Sequence, residues 1–254
     1  MEKVLEVNNL TKVFRGKDKQ DFTAVSRIDF CLYEGECLGI IGESGSGKST
    51  TVNMITRLIE PTDGNVILEG EDITHLKGKQ LRSMYKKMQM VFQSPIESFD
   101  PRCTLGEGIT ESLRNNGLSK KEANQVAEKV LKQCGLDETF MGRYPHEVSG
   151  GQCQRAAIAR ALAVGPSVLI CDEATSALDV TIQKEIIDLL QSLRASQGKK
   201  LSILFICHDV ALVQNFCDRV LVMHDGVIVE QGNPDEIVKN PKDDYTKKLI
   251  ESVL

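Results

Sequence analysis

The chain contains no run of apolar residues approaching the ~18 that a membrane-crossing helix needs, so no helical span is expected. It opens Met1-Glu2-Lys3-Val4-Leu5-Glu6-Val7, an alternating strand-like pattern. A secretory signal would show a charged segment followed by an apolar one, and the protein is expected to stay on the side of the membrane where it is made. Positive charge is not in excess either: 31 Lys and Arg stand against 36 Asp and Glu, for a net charge of −5. A dedicated nucleic-acid binder carries a basic patch or stripe, and this balance argues against one. No C-x-x-C pair occurs among the eight cysteines, Cys31, Cys37, Cys103, Cys134, Cys153, Cys171, Cys207 and Cys217. That spacing argues against a structural metal or iron–sulfur site. Cys37, Cys171 and Cys207 fall in apolar strand-like runs and read as small buried hydrophobes, and so many thiols fit a reducing cytoplasm. Internal repeats, low-complexity tracts and an obvious interdomain linker are also missing.

What is present is an ordinary globular composition, 41% hydrophobic and 26% charged over 254 residues, enough for a sizeable core in one or two domains. Leu5–Val7 and Ala24–Phe30 read as strands around a polar loop from Arg15 to Asp21, and Gly64–Gly70 as a further strand between glycine-containing turns. From about Ser94 to Ala163 the pattern is helical. Ser119-Lys120-Lys121-Glu122 is a capping box, followed by apolar residues at helical spacing and a C-terminal Gly135. Ser167–Asp172 and Leu201–Cys207 read as buried strands, Val180–Ala195 and Asp209–Phe216 as helices. Asp225-Gly226 between β-formers signals a hairpin; the tail from Asn233 to Leu254 is polar and helical in character. Strands alternating with helices predict an α/β fold with a mostly parallel sheet and its ligand at the strands' C-terminal edge.

Three motifs carry chemistry. The first is Gly42-Glu43-Ser44-Gly45-Ser46-Gly47-Lys48-Ser49, placed between the apolar run Cys37–Ile41 and the helix-like run Thr50–Ile59. That strand–loop–helix context marks a phosphate-binding loop. Its backbone N–H groups surround phosphates and the helix N-terminus adds positive potential. Lys48 is expected on the β/γ-phosphates and Ser49 on Mg²⁺. The second is Val168–Glu173, four apolar residues delivering two adjacent carboxylates to a strand end. Asp172 is expected to hold Mg²⁺ and Glu173 to polarise an attacking water as general base. The third is Ser149-Gly150-Gly151-Gln152 opening a helix, a second anion cradle. One nucleotide does not need two cradles. The economical reading gives this one to a nucleotide bound by another subunit; an ordinary helix cap is the plain alternative.

The order and distances of these motifs resemble the Walker A, signature and Walker B motifs of ATP-binding cassette (ABC) ATPases, and the resemblance covers essentially the whole chain. It implies a RecA-like P-loop core with an N-terminal antiparallel β subdomain and an inserted helical subdomain: residues 1–93 and 164–230 as the nucleotide core, 94–163 as the helical part bearing the signature, and 231–254 as a tail. It implies ATP and Mg²⁺ as cofactors, with Gly42–Thr50 of one subunit closed over by Ser149–Gln152 of its partner. Gln93 resembles the Q-loop glutamine at Mg²⁺ and the attacking water. His208 resembles the switch histidine at the γ-phosphate. Ser176-Ala177-Leu178-Asp179 resembles the D-loop, Asp179 meeting the nucleotide across the dimer, and Phe14 resembles the aromatic stacked on adenine. Two departures are visible: Val148 where leucine is usual, and Ala174 where proline often follows the glutamate. Both are apolar exchanges that remove no phosphate, metal or water contact.

Phe92–Arg102, Ser176–Val180 and Asn240–Leu249 resemble the oligopeptide, dipeptide and nickel importer branch, with Asp244 replacing a usual proline. That resemblance implies a peripheral subunit on the cytoplasmic face of a bacterial inner membrane. It would power import with two integral membrane permease subunits, a second and longer ATPase subunit with a cysteine-rich extension, and an extracytoplasmic substrate-binding protein, without nucleic acid. The alternative from another class is a soluble ABC ATPase acting on nucleic acid or ribosomes. Such proteins usually carry a coiled-coil insertion or a second cassette, and neither is seen in this sequence.

Overall fold

The computed structural model describes residues 2–16, 21–175, 178–196 and 201–252. The chain begins with two 13-residue strands, β1 (Lys3–Arg15) and β2 (Asp21–Tyr33). Both are longer than the short apolar runs that predict them, because antiparallel pairing continues outward through mixed polar and apolar residues to Phe14↔Phe22 and Arg15↔Asp21. β3 (Cys37–Ile41) and α1 (Lys48–Ile55) follow, then β4 (Asp63–Leu68), β5 (Glu71–Asp72), α2 (Gly78–Lys87) and β6 (Met88–Val91). A helical block holds α3 (Leu105–Asn115), α4 (Lys120–Gln133) and α5 (Gly150–Leu162). The remainder is β7 (Val168–Asp172), α6 (Val180–Ser196), β8 (Ser202–Ile206), α7 (Val210–Phe216), β9 (Arg219–His224), β10 (Val227–Gly232), α8 (Pro234–Lys239) and α9 (Asp244–Glu251).

Two sheets result. One is antiparallel, in the order β2-β1-β4-β5; the other runs β10-β9-β3-β8-β7-β6. Strands β9, β3, β8, β7 and β6 pair in parallel and β10 adds an antiparallel edge. The parallel strands are apolar on both faces because both faces are covered. Their residues alternate between two cores. Leu38, Ile40, Val168, Ile170, Leu204 and Ile206 pack with Leu5, Val7 and Leu32 of the antiparallel sheet and with Val52 and Ile55 of α1. Cys37, Ile41, Leu169, Cys171, Ile203 and Phe205 face the other way, among α5, α6 and α7. This is the P-loop NTPase α/β architecture with a mostly parallel sheet, an antiparallel sheet from the N-terminal segment and an inserted set of helices.

Local signals explain several boundaries. The capping box at Ser119 and Glu122 starts α4, and Gly135, at φ 75°, follows its end. A second box at Thr104 and Glu107 starts α3. The Asp225-Gly226 turn joins β9 to β10 as the sequence predicts. The helix after the phosphate loop begins two residues earlier than expected and ends four earlier, Arg57 turning to φ 61° just beyond it. α2 and β6 have no clear sequence signal: α2 buries only Met84, and β6 is four residues long.

Six of the eight cysteines are buried, and only Cys31 and Cys103 are partly open. Burial pushes the thiols of Cys134, Cys171 and Cys207 up to about 12 and that of Cys153 up to about 11. Since the thiolate is the nucleophile, a disulfide reagent applied to the native protein is expected to label Cys31 and Cys103 rapidly. The other six should react only after denaturation, which a spectrophotometric thiol titration with and without guanidinium checks.

Candidate functional site

Four neighbouring parallel strands, β3, β8, β7 and β6, end along one edge of the sheet. Ile40 and Asp172 both lie opposite Ile206, and Val91 lies opposite Cys171. The segments that leave this edge are the phosphate loop after β3, Cys207-His208 after β8, Asp172-Glu173 at the end of β7 and Gln93 after β6. The topology therefore collects residues from four distant parts of the sequence at the position where α/β sheets bind ligands.

The loop is shaped by its glycines and by Lys48. Gly47 caps α1 with φ 103°, and a Cβ there would lie 2.7 Å from the carbonyl oxygen of Ala24. No side chain caps this helix start, so its N–H groups remain directed at whatever fills the loop. Lys48 is buried and folds back: Nζ donates to the carbonyl oxygens of Gly42 at 2.7 Å and Glu43 at 2.8 Å, and to Ser46 Oγ at 3.4 Å. Burial pulls its ammonium pKa down, against the carboxylates of Glu173 and Asp172, which raise it. Beside the loop runs a groove of about 250 Å³, lined by Ser44, Gly45, Gly47–Thr50, Glu173 and the aromatic pair Phe14 and Phe22. Glu43 lies on the loop, exposed.

Phe14 and Phe22 are cross-strand partners in β1 and β2 and are 42% and 63% exposed. Lys12 Nζ lies 5.2 Å from the Phe14 ring centre. Two open aromatic faces beside a phosphate loop can take a planar base by stacking. Phe22 has no sequence signal of its own; it becomes visible only through its pairing with Phe14.

Asp172 and Glu173 differ sharply. Burial, with repulsion from Glu173 added to it, pushes the Asp172 carboxyl up to about 6, against the pull of Lys48. Its Oδ1 is buried without a hydrogen-bond partner. Glu173 adopts φ 47°, a left-handed conformation that costs a non-glycine residue energy and clusters at functional sites. Its N–H donates to the carbonyl of Ile206 at 3.1 Å, and its Oε2 accepts Gln93 Nε2 at 2.8 Å. Two residues expected at the same reacting water thus touch, 80 positions apart in sequence. His208 is exposed at the end of β8, on this edge but outside the lining of the groove.

The raised Asp172 carboxyl has a consequence for stability. The folded chain holds a proton there up to about pH 6, whereas the unfolded chain releases it near its ordinary 3.8. Stability from this group therefore falls as pH rises through that window, and the full penalty stands above it. Asp172→Asn is expected to melt with the wild type near pH 4 and several degrees above it at pH 7.5, measured by calorimetry in EDTA. An equal shift at both pH values would contradict the strained carboxylate.

The second cradle lies apart from the groove, whose lining contains none of Ser149–Gln152 and not Asp179. Ser149 and Gln152 form a reciprocal capping box at the start of α5: Ser149 N–H donates to Gln152 Oε1 at 2.9 Å, and Gln152 N–H to Ser149 Oγ at 3.3 Å. This cradle packs against the start of α6: Leu178 Cδ2 would be 3.6 Å from a Cβ at Gly150, and Ile182 Cγ2 only 2.7 Å from one at Gly151. A side chain at 151 would force the Ile182 side chain to shift. Asp179 is exposed, and its Oδ1 accepts the Ile182 N–H at 3.0 Å. Ser176 and Ala177 of the D-loop lie outside the described residues. The sites predicted from sequence thus fall into two groups. Lys48, Ser49, Asp172, Glu173, Gln93 and Phe14 gather at one, and Ser149–Gln152 and Asp179 at the other.

The ABC transporter family matches residues 25–176, from β2 to the segment after Glu173. The chain belongs to that family. It is 46% identical to the oligopeptide transport ATP-binding protein OppF of Salmonella typhimurium, over 91% of this chain and 69% of that one. It is 40% identical to the dipeptide transport ATP-binding protein DppF of Lactococcus lactis, over 99% of this chain and 81% of that one. Among solved structures, it superposes with a TM-score of 0.81 and 31% identity on the dimeric post-hydrolysis state of the cassette MJ0796 bound to ADP and Pi, covering 91% of this chain and 98% of that one. The chain is an ATP-binding, ATP-hydrolysing cassette that energises transport. Among the described residues no helix is long and apolar enough to cross a membrane.

Proposed function

We propose that this cassette powers uptake of peptides through two integral membrane permease subunits, working from the cytoplasmic face of a bacterial inner membrane with a second, longer ATPase subunit and an extracytoplasmic binding protein. The peptide assignment takes its support from the names of the relatives, one for oligopeptides and one for dipeptides. A related cargo such as nickel would use the same machinery. Residues 1–93 and 164–230 act as the nucleotide core, 94–163 as the helical part that meets the permeases, and 231–254 as a tail.

The observation that carries the mechanism is the separation of two anion cradles in one chain, only one of them at the groove. ATP lies on Gly42–Thr50, its base on Phe14 and Phe22, and is closed over by Ser149–Gln152 and Asp179 of the facing cassette. Lys48 leaves the carbonyls of Gly42 and Glu43 for the β/γ-phosphates. Glu173 takes a proton from the attacking water, which Gln93 helps to orient, and His208 meets the γ-phosphate. Among the described residues no cluster of three or more His, Cys, Asp or Glu side chains could hold a metal by itself. Mg²⁺ typically uses one or two protein groups plus substrate phosphates. The orphaned, buried Oδ1 of Asp172 fits that demand, with Ser49 and Gln93 completing the set; the ion supplies charge neutralisation at the phosphate oxygens.

Tagged protein recovered from detergent-solubilised membranes of its host, with partners identified by mass spectrometry, tests the assembly. Two membrane subunits and a longer ATPase are the expected result. Recovery of only soluble or ribosomal partners would overturn it.

A further inference from the structure

The last helix of the described chain reaches the phosphate loop. Tyr245, in the first turn of α9, places its hydroxyl oxygen 2.9 Å from the backbone nitrogen of Glu43 and accepts that N–H. The peptide group between Gly42 and Glu43 is therefore held from both sides: its N–H by Tyr245, and its C=O by Lys48 Nζ at 2.7 Å. The second contact involves the ammonium expected to meet the phosphates.

Tyr245 is itself fixed. Its ring stacks on His224 at the end of β9, with centroids 3.8 Å apart and planes 19° from parallel. Asp243 caps the helix by accepting the Tyr245 N–H at 2.8 Å. The Glu230 carboxylate of β10 accepts the N–H groups of Lys242 and Asp243, each at 3.0 Å, and Leu249 and Ile250 are buried against the core. A stacked, doubly anchored tyrosine is a stiff prop, and a loop held in its binding shape loses less freedom when the ligand arrives.

We propose that Tyr245 is a positioning residue of the phosphate loop, fixing the Gly42–Glu43 peptide and with it the loop backbone that receives the phosphates, so that the C-terminal helix sets the affinity for ATP. The inference rests on the reading of Gly42–Thr50 as the ATP site.

Tyr245→Phe keeps the ring and its stacking and removes only the hydroxyl. In the intact protein, the dissociation constant for a fluorescent ATP analogue is expected to rise about threefold to tenfold, the effect of one neutral hydrogen bond. In the assembled transporter KM for ATP should rise by the same factor, with kcat within about twofold of wild type. Hydrogen exchange at the Glu43 amide should accelerate while the melting temperature stays unchanged, a split that general loosening of the fold would not give. Lys247→Ala, on the exposed side of α9, should leave all five quantities at wild-type values. Wild-type affinity, KM and exchange in Tyr245→Phe would overturn the proposal. Absence of ATP binding by the wild type would instead remove the reading beneath it.

Discussion

Glu173→Gln lowers ATP turnover about a hundredfold to ten-thousandfold, the range a general base contributes, and leaves ATP bound. The geometry explains why so small a change has so large an effect. Glu173 leaves β7 in a left-handed turn at φ 47°, tied to Ile206 through its N–H, so its side chain departs from the line of the strand. Its Oε2 sits 2.8 Å from Gln93 Nε2 on the neighbouring strand's exit. Glutamine has the same shape and can accept the same hydrogen bond, so binding and folding are spared. It cannot take a proton from water. With hydrolysis blocked, the contacts bridging two cassettes through the γ-phosphate persist, and an ATP-filled closed dimer accumulates. Phosphate-release kinetics together with retention of radiolabelled ATP check this; turnover at the wild-type rate would remove Glu173 from the base role.

Ser149→Asp abolishes hydrolysis at the site this cradle completes, by about a hundredfold or more, without loss of stability. Ser149 has two possible duties that this change separates. As a helix cap it accepts the Gln152 N–H at 3.3 Å, and aspartate caps as well as serine does, with a favourable charge at the helix start. As a phosphate clamp it must meet an anion, and a carboxylate there opposes the triphosphate, a like-charge contact costing several kcal/mol. Calorimetry should give an unchanged melting temperature, and the isolated chain should bind ATP normally, because Ser149 does not line its own groove. Turnover in the assembled transporter should collapse. Normal turnover would reduce the cradle to a helix cap, and lost ATP binding in the isolated chain would place it at the chain's own nucleotide.

The phosphate loop and the strand before it were legible because each is local. Cys37–Ile41 is a continuous apolar run, observed with those limits, and the glycine spacing after it fits one kind of turn. Ser119–Glu122 was legible for the same reason, as a reciprocal cap written within four residues. What the sequence hides is adjacency made by the sheet. Nothing local says that Gln93 touches Glu173. The family resemblance places each at the attacking water, and the parallel pairing of β6 with β7 brings the two side chains into contact. Phe22 depends on a cross-strand register, and Tyr245 meets Glu43 across 202 positions. The tail's Asn240–Leu249 segment served as a marker of family branch, and its contact with the loop appears only in three dimensions. α2 escaped because it is largely exposed and buries little that periodicity could reveal.

In the proposed cycle, ATP hydrolysed through Glu173 of this chain drives peptide entry. The most direct measurement is uptake of a labelled peptide into proteoliposomes holding the complete transporter, with binding protein outside and ATP sealed inside. Accumulation that requires ATP with the wild type and vanishes with Glu173→Gln is the predicted result. Accumulation that persists in the Glu173→Gln assembly, or that needs no ATP, would contradict the account.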